Sequence, residues 1–142
     1  ASPYWLSTQE SKFVADAAST SKQQLIAIIE SIAFLLNANI ELMHARLPEL
    51  DSIQLGGGLS ACSYLSECLA DLSGFKVLRM CERELTGRGL AYLTAGRPLS
   101  WCTMKFKQAI LPKPNSALLS RQAKWRAHMQ ALVGKNKVIA SN

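Results

Sequence analysis

Ile53-Gln54-Leu55-Gly56-Gly57-Gly58-Leu59-Ser60-Ala61-Cys62 is the stretch on which the architecture turns. The run Ser52-Ile53-Gln54-Leu55 is strand-like and closes on three glycines, and Ser60 stands where it could cap a following helix. Glycines at a strand end can take positive φ and let a ligand approach the backbone with no Cβ in the way. A helix that starts there aims its free N–H groups and positive dipole end at the same spot, which suits a phosphate. A tight strand-to-helix turn also needs glycine for sterics alone, so the motif by itself leaves both readings open. It is not a Walker loop, because no Gly-Lys-Ser/Thr follows, and it lacks the spaced glycines of dinucleotide folds.

Outward from the glycines, the helix carries an apolar stripe of Tyr64, Leu65, Cys68, Leu69 and Leu72, and Gly74 ends it as a C-terminal glycine. Phe75-Lys76-Val77-Leu78 reads as the next strand. A third helix is expected over roughly Leu85 to Ala95, where Gly87 and Gly89 weaken it but permit close packing. Upstream, Ser19-Thr20-Ser21 signals a helix start. Leu25, Ile28, Ile29, Ile32, Leu36, Ile40, Met43 and Leu47 then predict a long helix over Lys22–Leu47, stopped by Pro48 and packed by that stripe on the sheet. Lys105 to Ser116, with Pro112 and Pro114, looks like a linker. A last helix at about Ala117–Val133 has Leu118, Trp125, Met129 and Leu132 on its apolar side, with Arg121, Lys124 and His128 on another. Strand, glycine turn, helix, strand, helix is an α/β order, with the long helix as a further layer.

The 142 residues are 49% hydrophobic and 18% charged, a balance that suits a globular core rather than a disordered chain. No apolar run approaches the ~18–20 residues of a bilayer span, so no membrane partner is expected. The chain opens Ala1-Ser2-Pro3-Tyr4-Trp5 without a Met or a charged-then-apolar leader, which suggests a processed or truncated start. From Ser100 onward there are eight basic residues and no acidic ones, against eight basic and ten acidic before it. Such a tail can attract nucleic acid or an acidic membrane surface, or can face solvent or an acidic surface of its own protein. It lacks exposed aromatics interleaved with the basic residues, which argues against nucleic acid. Cys62, Cys68, Cys81 and Cys102 form no Cys-x-x-Cys pair, and His44 and His128 lie far from any ligand-like cluster, so no metal site is expected. Unpaired thiols point to a reducing, cytoplasmic setting.

Several of these pieces together resemble the FGGY family of carbohydrate kinases. Ile53 to Cys62, followed by Leu69-Ala70-Asp71-Leu72-Ser73-Gly74, is similar to that family's second glycine motif and the helix ending Ala-Asp-x-x-Gly. Glu84 to Leu93 resembles its Glu-x-x-x-x-Gly-Ala-Ala-Tyr-Leu helix. Pro3-Tyr4-Trp5 and Thr20-Ser21-Lys22 are similar to segments of glycerol kinases, and Phe106, Pro112, Asn115, Arg121 and Trp125 fit the C-terminal tail pattern.

The resemblance implies an α/β fold of actin-like ATPase (ribonuclease H-like) type, a C-terminal domain with a mixed sheet, flanking helices and a helical tail. Residues 1–104 would be a partial nucleotide-binding domain and 105–142 a basic tail. It implies ATP with Mg2+, phosphoryl transfer to a hydroxyl of glycerol or a small sugar, and a separate N-terminal substrate domain that supplies the catalytic base. Gly57 and Gly58 inherit nucleotide contact, with Cys62 at the adenine side where glycerol kinases often carry Asn. Cys62 lacks the amide donor and carbonyl acceptor of that Asn. Gly56 replaces an Asp of glycerol kinases, and Leu6 an Asp that usually follows Trp5. None of the carboxylates here matches the family's catalytic motif, so this chain alone is expected to be inactive. Alternatives are a catalytically silent actin-like scaffold or an interaction module with a basic tail. An apolar face of the long helix, left uncovered by the missing domain, would drive homodimerisation.

Overall fold

The computed structural model describes Tyr4 and residues 20–81, 84–101 and 105–139, the last five of these by backbone alone. Pro3, Trp5, Leu6 and Cys102 therefore lie outside the described residues. In chain order the elements are α1 (Ser21–His44), β1 (Ser52–Leu55), a 3-10 turn (Gly58–Ala61), α2 (Ser63–Ser73), β2 (Lys76–Met80), α3 (Leu85–Thr94), β3 (Phe106–Ile110) and α4 (Ser116–Ile139). They form two compact units, one built on α1 and α4 and the other spanning Pro48–Pro114.

The Pro48–Pro114 unit is a three-stranded mixed sheet in the order β1-β2-β3. β1 runs parallel to β2, and β3 runs antiparallel to it. A parallel pair needs a crossover, and α2 supplies it. Its inward residues Leu65, Cys68, Leu69 and Ala70 are buried together with Val77 and Met80 of β2. Gly74 ends α2 at φ 73°, the left-handed conformation expected of it, and its N–H donates to the Ala70 carbonyl. The residues read as a linker contain β3, whose sequence Phe-Lys-Gln-Ala-Ile hides its character. Only Ile110 is more than marginally covered, as befits an edge strand with no alternating apolar face. The Lys113 N–H donates to Asp71 Oδ1 at 2.9 Å, which ties the proline segment after β3 to the end of α2. α3 also differs from expectation. It has no buried residue, and a Cβ added at Gly87 or Gly89 would meet nothing within 4 Å, so neither glycine serves close packing. Tyr92 instead meets Trp101 edge-on at 5.4 Å, and the Arg88 guanidinium lies 5.6 Å from the centre of the same ring.

In the other unit, Thr20 and Gln23 form a reciprocal capping box at the start of α1. Thr20→Ala is expected to lower stability by about 1 kcal/mol, read as a fall in the urea midpoint. α1 does not pack by its Leu/Ile stripe. Leu25, Ile28, Leu36, Met43 and Leu47 are exposed, while Glu30, Ala33, Phe34, Asn37 and Ala38 are buried. These five also recur at helical spacing, on a different face that adjoins the stripe at the half-buried Ile40, and two of them are alanines that allow close approach. Phe34 meets Trp125 of α4 at 5.7 Å, and Tyr4 meets the same indole edge-on at 5.2 Å. Arg121 makes a bidentate pair with buried Glu30, both bonds at 2.7 Å, and Arg126 pairs with Glu41. Two basic tail residues are thus matched by acidic groups of the same chain. α1 is also long and apolar enough to cross a membrane by length and composition, contrary to the expectation that no segment is. After Gln24 its apolar residues are interrupted only by Glu30-Ser31, Asn37, Asn39, Glu41 and His44, so an average over the segment shows what inspection for an unbroken run does not.

On α4, Leu118, the first of the expected apolar positions, is buried, and Trp125, Met129 and Leu132 are partly covered. Asn115 caps the helix through its side-chain oxygen, which accepts from the Leu118 N–H at 3.1 Å.

Candidate functional site

The three glycines that follow β1 stand in three different physical settings. At Gly56 an added Cβ would fall 2.0 Å from Leu85 Cδ1 and 2.9 Å from Leu85 Cγ, so the backbone there is pressed against the first residue of α3. An Asp at this position, as in the glycerol kinases of the resemblance, would not fit without moving that leucine. Gly57 sits at φ 88° and ψ −178°, a combination that only glycine adopts without strain. Gly58 has neither constraint. It is exposed, its φ is not positive, and a Cβ built on it meets nothing within 4 Å. Of the three, Gly58 is the one where neither backbone conformation nor packing calls for the absence of a side chain.

The chain then turns through the 3-10 segment. Ser60 does not cap α2. Its hydroxyl donates back to the Gly57 carbonyl at 2.7 Å, and its N–H donates to the same oxygen at 3.1 Å, which locks the turn from inside. The N-cap of α2 is Cys62, which offers no side-chain cap, and the first turn of the helix carries no acidic residue. Exposed helix N–H groups and the positive end of the helix dipole therefore lie just beyond the glycines, with no carboxylate of the first turn to neutralise them. Gly57, Gly58 and Cys62 are brought together at the carboxyl end of β1, with Cys62 half-exposed.

One residue of this locality was invisible to motif reading. Arg79 lies on β2, the central strand, opposite Leu55 of β1 and Gln108 of β3. It is only 8% exposed. Its Nη1 donates to Ser63 Oγ and to Gln108 Oε1, and its Nη2 to the Ala61 carbonyl, each at 3.2 Å. The signal was a charged residue inside the apolar run Val77-Leu78-Arg79-Met80, just past the expected strand end at Leu78. Among the described residues no group of three His, Cys, Asp or Glu side chains could hold a metal ion.

Residues 6–96 match the model of the FGGY family of carbohydrate kinases, C-terminal domain. An uncharacterized sugar kinase of Archaeoglobus fulgidus is 33% identical over 100 residues, 70% of this chain and 20% of that protein. A glycerol kinase of Thermococcus kodakarensis is 26% identical over 148 aligned positions, covering 98% of this chain and 30% of the relative. Among solved structures, the crystal structure of Plasmodium falciparum glycerol kinase with ADP superposes with a TM-score of 0.60 at 16% identity, over 87% of this chain and 26% of that one. The chain thus spans about a fifth to a third of the length of the proteins it matches.

Proposed function

Because this chain belongs to the FGGY family of carbohydrate kinases, we propose that it is the part of such a kinase that holds ATP from the C-terminal side, and that the whole protein phosphorylates glycerol or a small sugar. The observation that carries this reading is Gly58: an exposed glycine that the fold does not require, at the mouth of a turn followed by an uncapped, acid-free helix start. A phosphate or the ribose-phosphate edge of a nucleotide can come against that backbone as no side-chain-bearing residue would allow. Gly57 provides the bend, Ser60 fixes it, and Cys62 borders the base. ATP, when bound with magnesium, supplies the γ-phosphoryl group. The residues of this chain bind and orient it. The base that takes the acceptor's proton and the polyol pocket belong to the N-terminal domain, and closure of the two domains would exclude water. The chain by itself then binds nucleotide weakly and transfers nothing. Cys62, Cys68 and Cys81, none of them in a disulfide, fit a cytoplasmic setting.

Thiol alkylation tests the site directly. Cys62 is half-exposed beside the turn, Cys68 is buried and Cys81 is exposed elsewhere on the chain. Millimolar magnesium-ADP should slow iodoacetamide labelling of Cys62 at least threefold and leave Cys81 unchanged. Amide chemical shifts should move in step at Gly57, Gly58, Ser60 and Cys62. Equal labelling of Cys62 with and without ADP, in folded protein, would make the turn structural and favour a silent scaffold.

A further inference from the structure

Arg79 is a buried cation with only neutral acceptors: a serine hydroxyl, a backbone carbonyl and a glutamine amide oxygen. Among the described residues no carboxylate pairs with it. Taking a guanidinium out of water carries a large desolvation cost, which a partner anion normally offsets. This one lies beside the start of α2, where the helix dipole is also positive and no acidic residue of the first turn intervenes. Two positive features are set together, and no carboxylate among the described residues pairs with the guanidinium or sits in the first turn of the helix. Their placement is also specific. By bonding Ala61, the last residue of the 3-10 turn, and Ser63, the first of α2, the guanidinium grips both sides of Cys62. Gln108 anchors it to β3 from the other side.

We propose that Arg79 is a positioning residue for the nucleotide: it pins the turn around Cys62 to the sheet, and its charge, held by neutral partners among the described residues, favours a ligand that brings phosphates over a neutral nucleoside. The inference rests on the nucleotide reading of the turn. It adds a residue of β2 to a site otherwise made of the β1–α2 connection.

The test compares ADP with adenosine, two ligands that share a base and ribose and differ in charge. Dissociation constants would be measured on the intact protein, on Arg79→Gln and on Arg79→Lys. In Arg79→Gln the preference for ADP over adenosine should fall three- to tenfold. In Arg79→Lys, which keeps the charge and loses the fork, both ligands should weaken together and the preference should persist. An unchanged preference in folded Arg79→Gln overturns the proposal and makes Arg79 a structural clamp, while leaving the nucleotide site standing. Should Arg79→Gln not fold, the wild-type side-chain signals decide: the Arg79 guanidinium resonance should shift on adding ADP and stay still with adenosine. Equal shifts with both ligands, or none with ADP, overturn it. A wild-type protein that binds neither ligand at the turn overturns the nucleotide reading as well.

Discussion

Gly58→Ala should leave the protein as stable as before, or slightly more so, and weaken ADP binding at least tenfold. The two halves of this expectation have independent causes. The Gly58 backbone does not use positive φ, and the new methyl would meet nothing within 4 Å, so the folded state accepts it. Alanine also restricts the unfolded chain, which favours folding by about 0.4–1 kcal/mol at a compatible position. The same methyl would project from the exposed face of the turn, where a nucleotide must come against backbone. A tenfold loss is about 1.4 kcal/mol, the scale of one displaced hydrogen bond or a modest steric clash. The neighbouring glycines make controls of opposite character. Gly57→Ala forces a side chain into a conformation costing about 1–3 kcal/mol, and Gly56→Ala drives a methyl into Leu85. Both should lower the unfolding midpoint, and any loss of ADP binding in them would be confounded by that. An alanine at Gly58 that binds ADP like wild type would remove the main support for a nucleotide at this turn.

Arg121→Met is expected to cost about 2–3 kcal/mol of stability, far more than loss of the neighbouring ion pair. The Glu30 side chain is 5% exposed, so removing the guanidinium takes the bidentate cationic partner from a buried carboxylate. Arg121 itself is 48% exposed, which screens the pair and keeps the figure below that of a fully buried one. The Arg126–Glu41 pair has both partners substantially exposed, at 31% and 49%, and Arg126→Met should change stability by no more than about 1 kcal/mol. Adding Glu30→Met to Arg121→Met should recover at least half the loss, because an apolar pair of similar volume suits this helix contact better than a buried carboxylate deprived of its guanidinium. Urea titrations of the four proteins give the comparison. If Arg121→Met falls within about 0.5 kcal/mol of wild type, Glu30 is reached by water and the bidentate pair is a surface feature.

The order of elements was legible because the strongest local signals are backbone signals. Thr20 before an apolar helix, Pro48 after it, three glycines after the short run Ser52–Leu55 and Gly74 after α2 each act within a few residues of where they stand. The mixed sheet and the place of Gly57, Gly58 and Cys62 followed from them and from the family resemblance. What sequence reading missed depends on partners distant in the chain. The packed face of α1 contains Glu30 and Asn37, and hydropathy ranks it below the Leu/Ile face. Burial is decided there by Arg121 and Trp125, about ninety residues away. β3 pairs through its backbone, which Lys105, Lys107 and the prolines around it do not advertise. Ser60 was a sound candidate for a cap, yet the 3-10 turn after Gly57 shifted the helix start to Ser63 and turned that hydroxyl backwards. Arg79 belonged to no motif, and its meaning lies in which turn it reaches.

The bond between Glu30 and Arg121 joins residues 91 positions apart, and the Pro48–Pro114 unit is strung between them. During synthesis at roughly 5–20 residues per second, α1 would leave the ribosome some five to eighteen seconds before α4 exists to receive it. Throughout that interval both faces of α1 are exposed, the aliphatic one and the one that α4 later covers. The inserted unit has its crossover helix and all three strands in one continuous stretch and can assemble in the meantime. Translation speed through residues 48–120 therefore sets how long a nascent helix waits for its partner, and slow codons or a pause there would lengthen its exposure to chaperones and to aggregation.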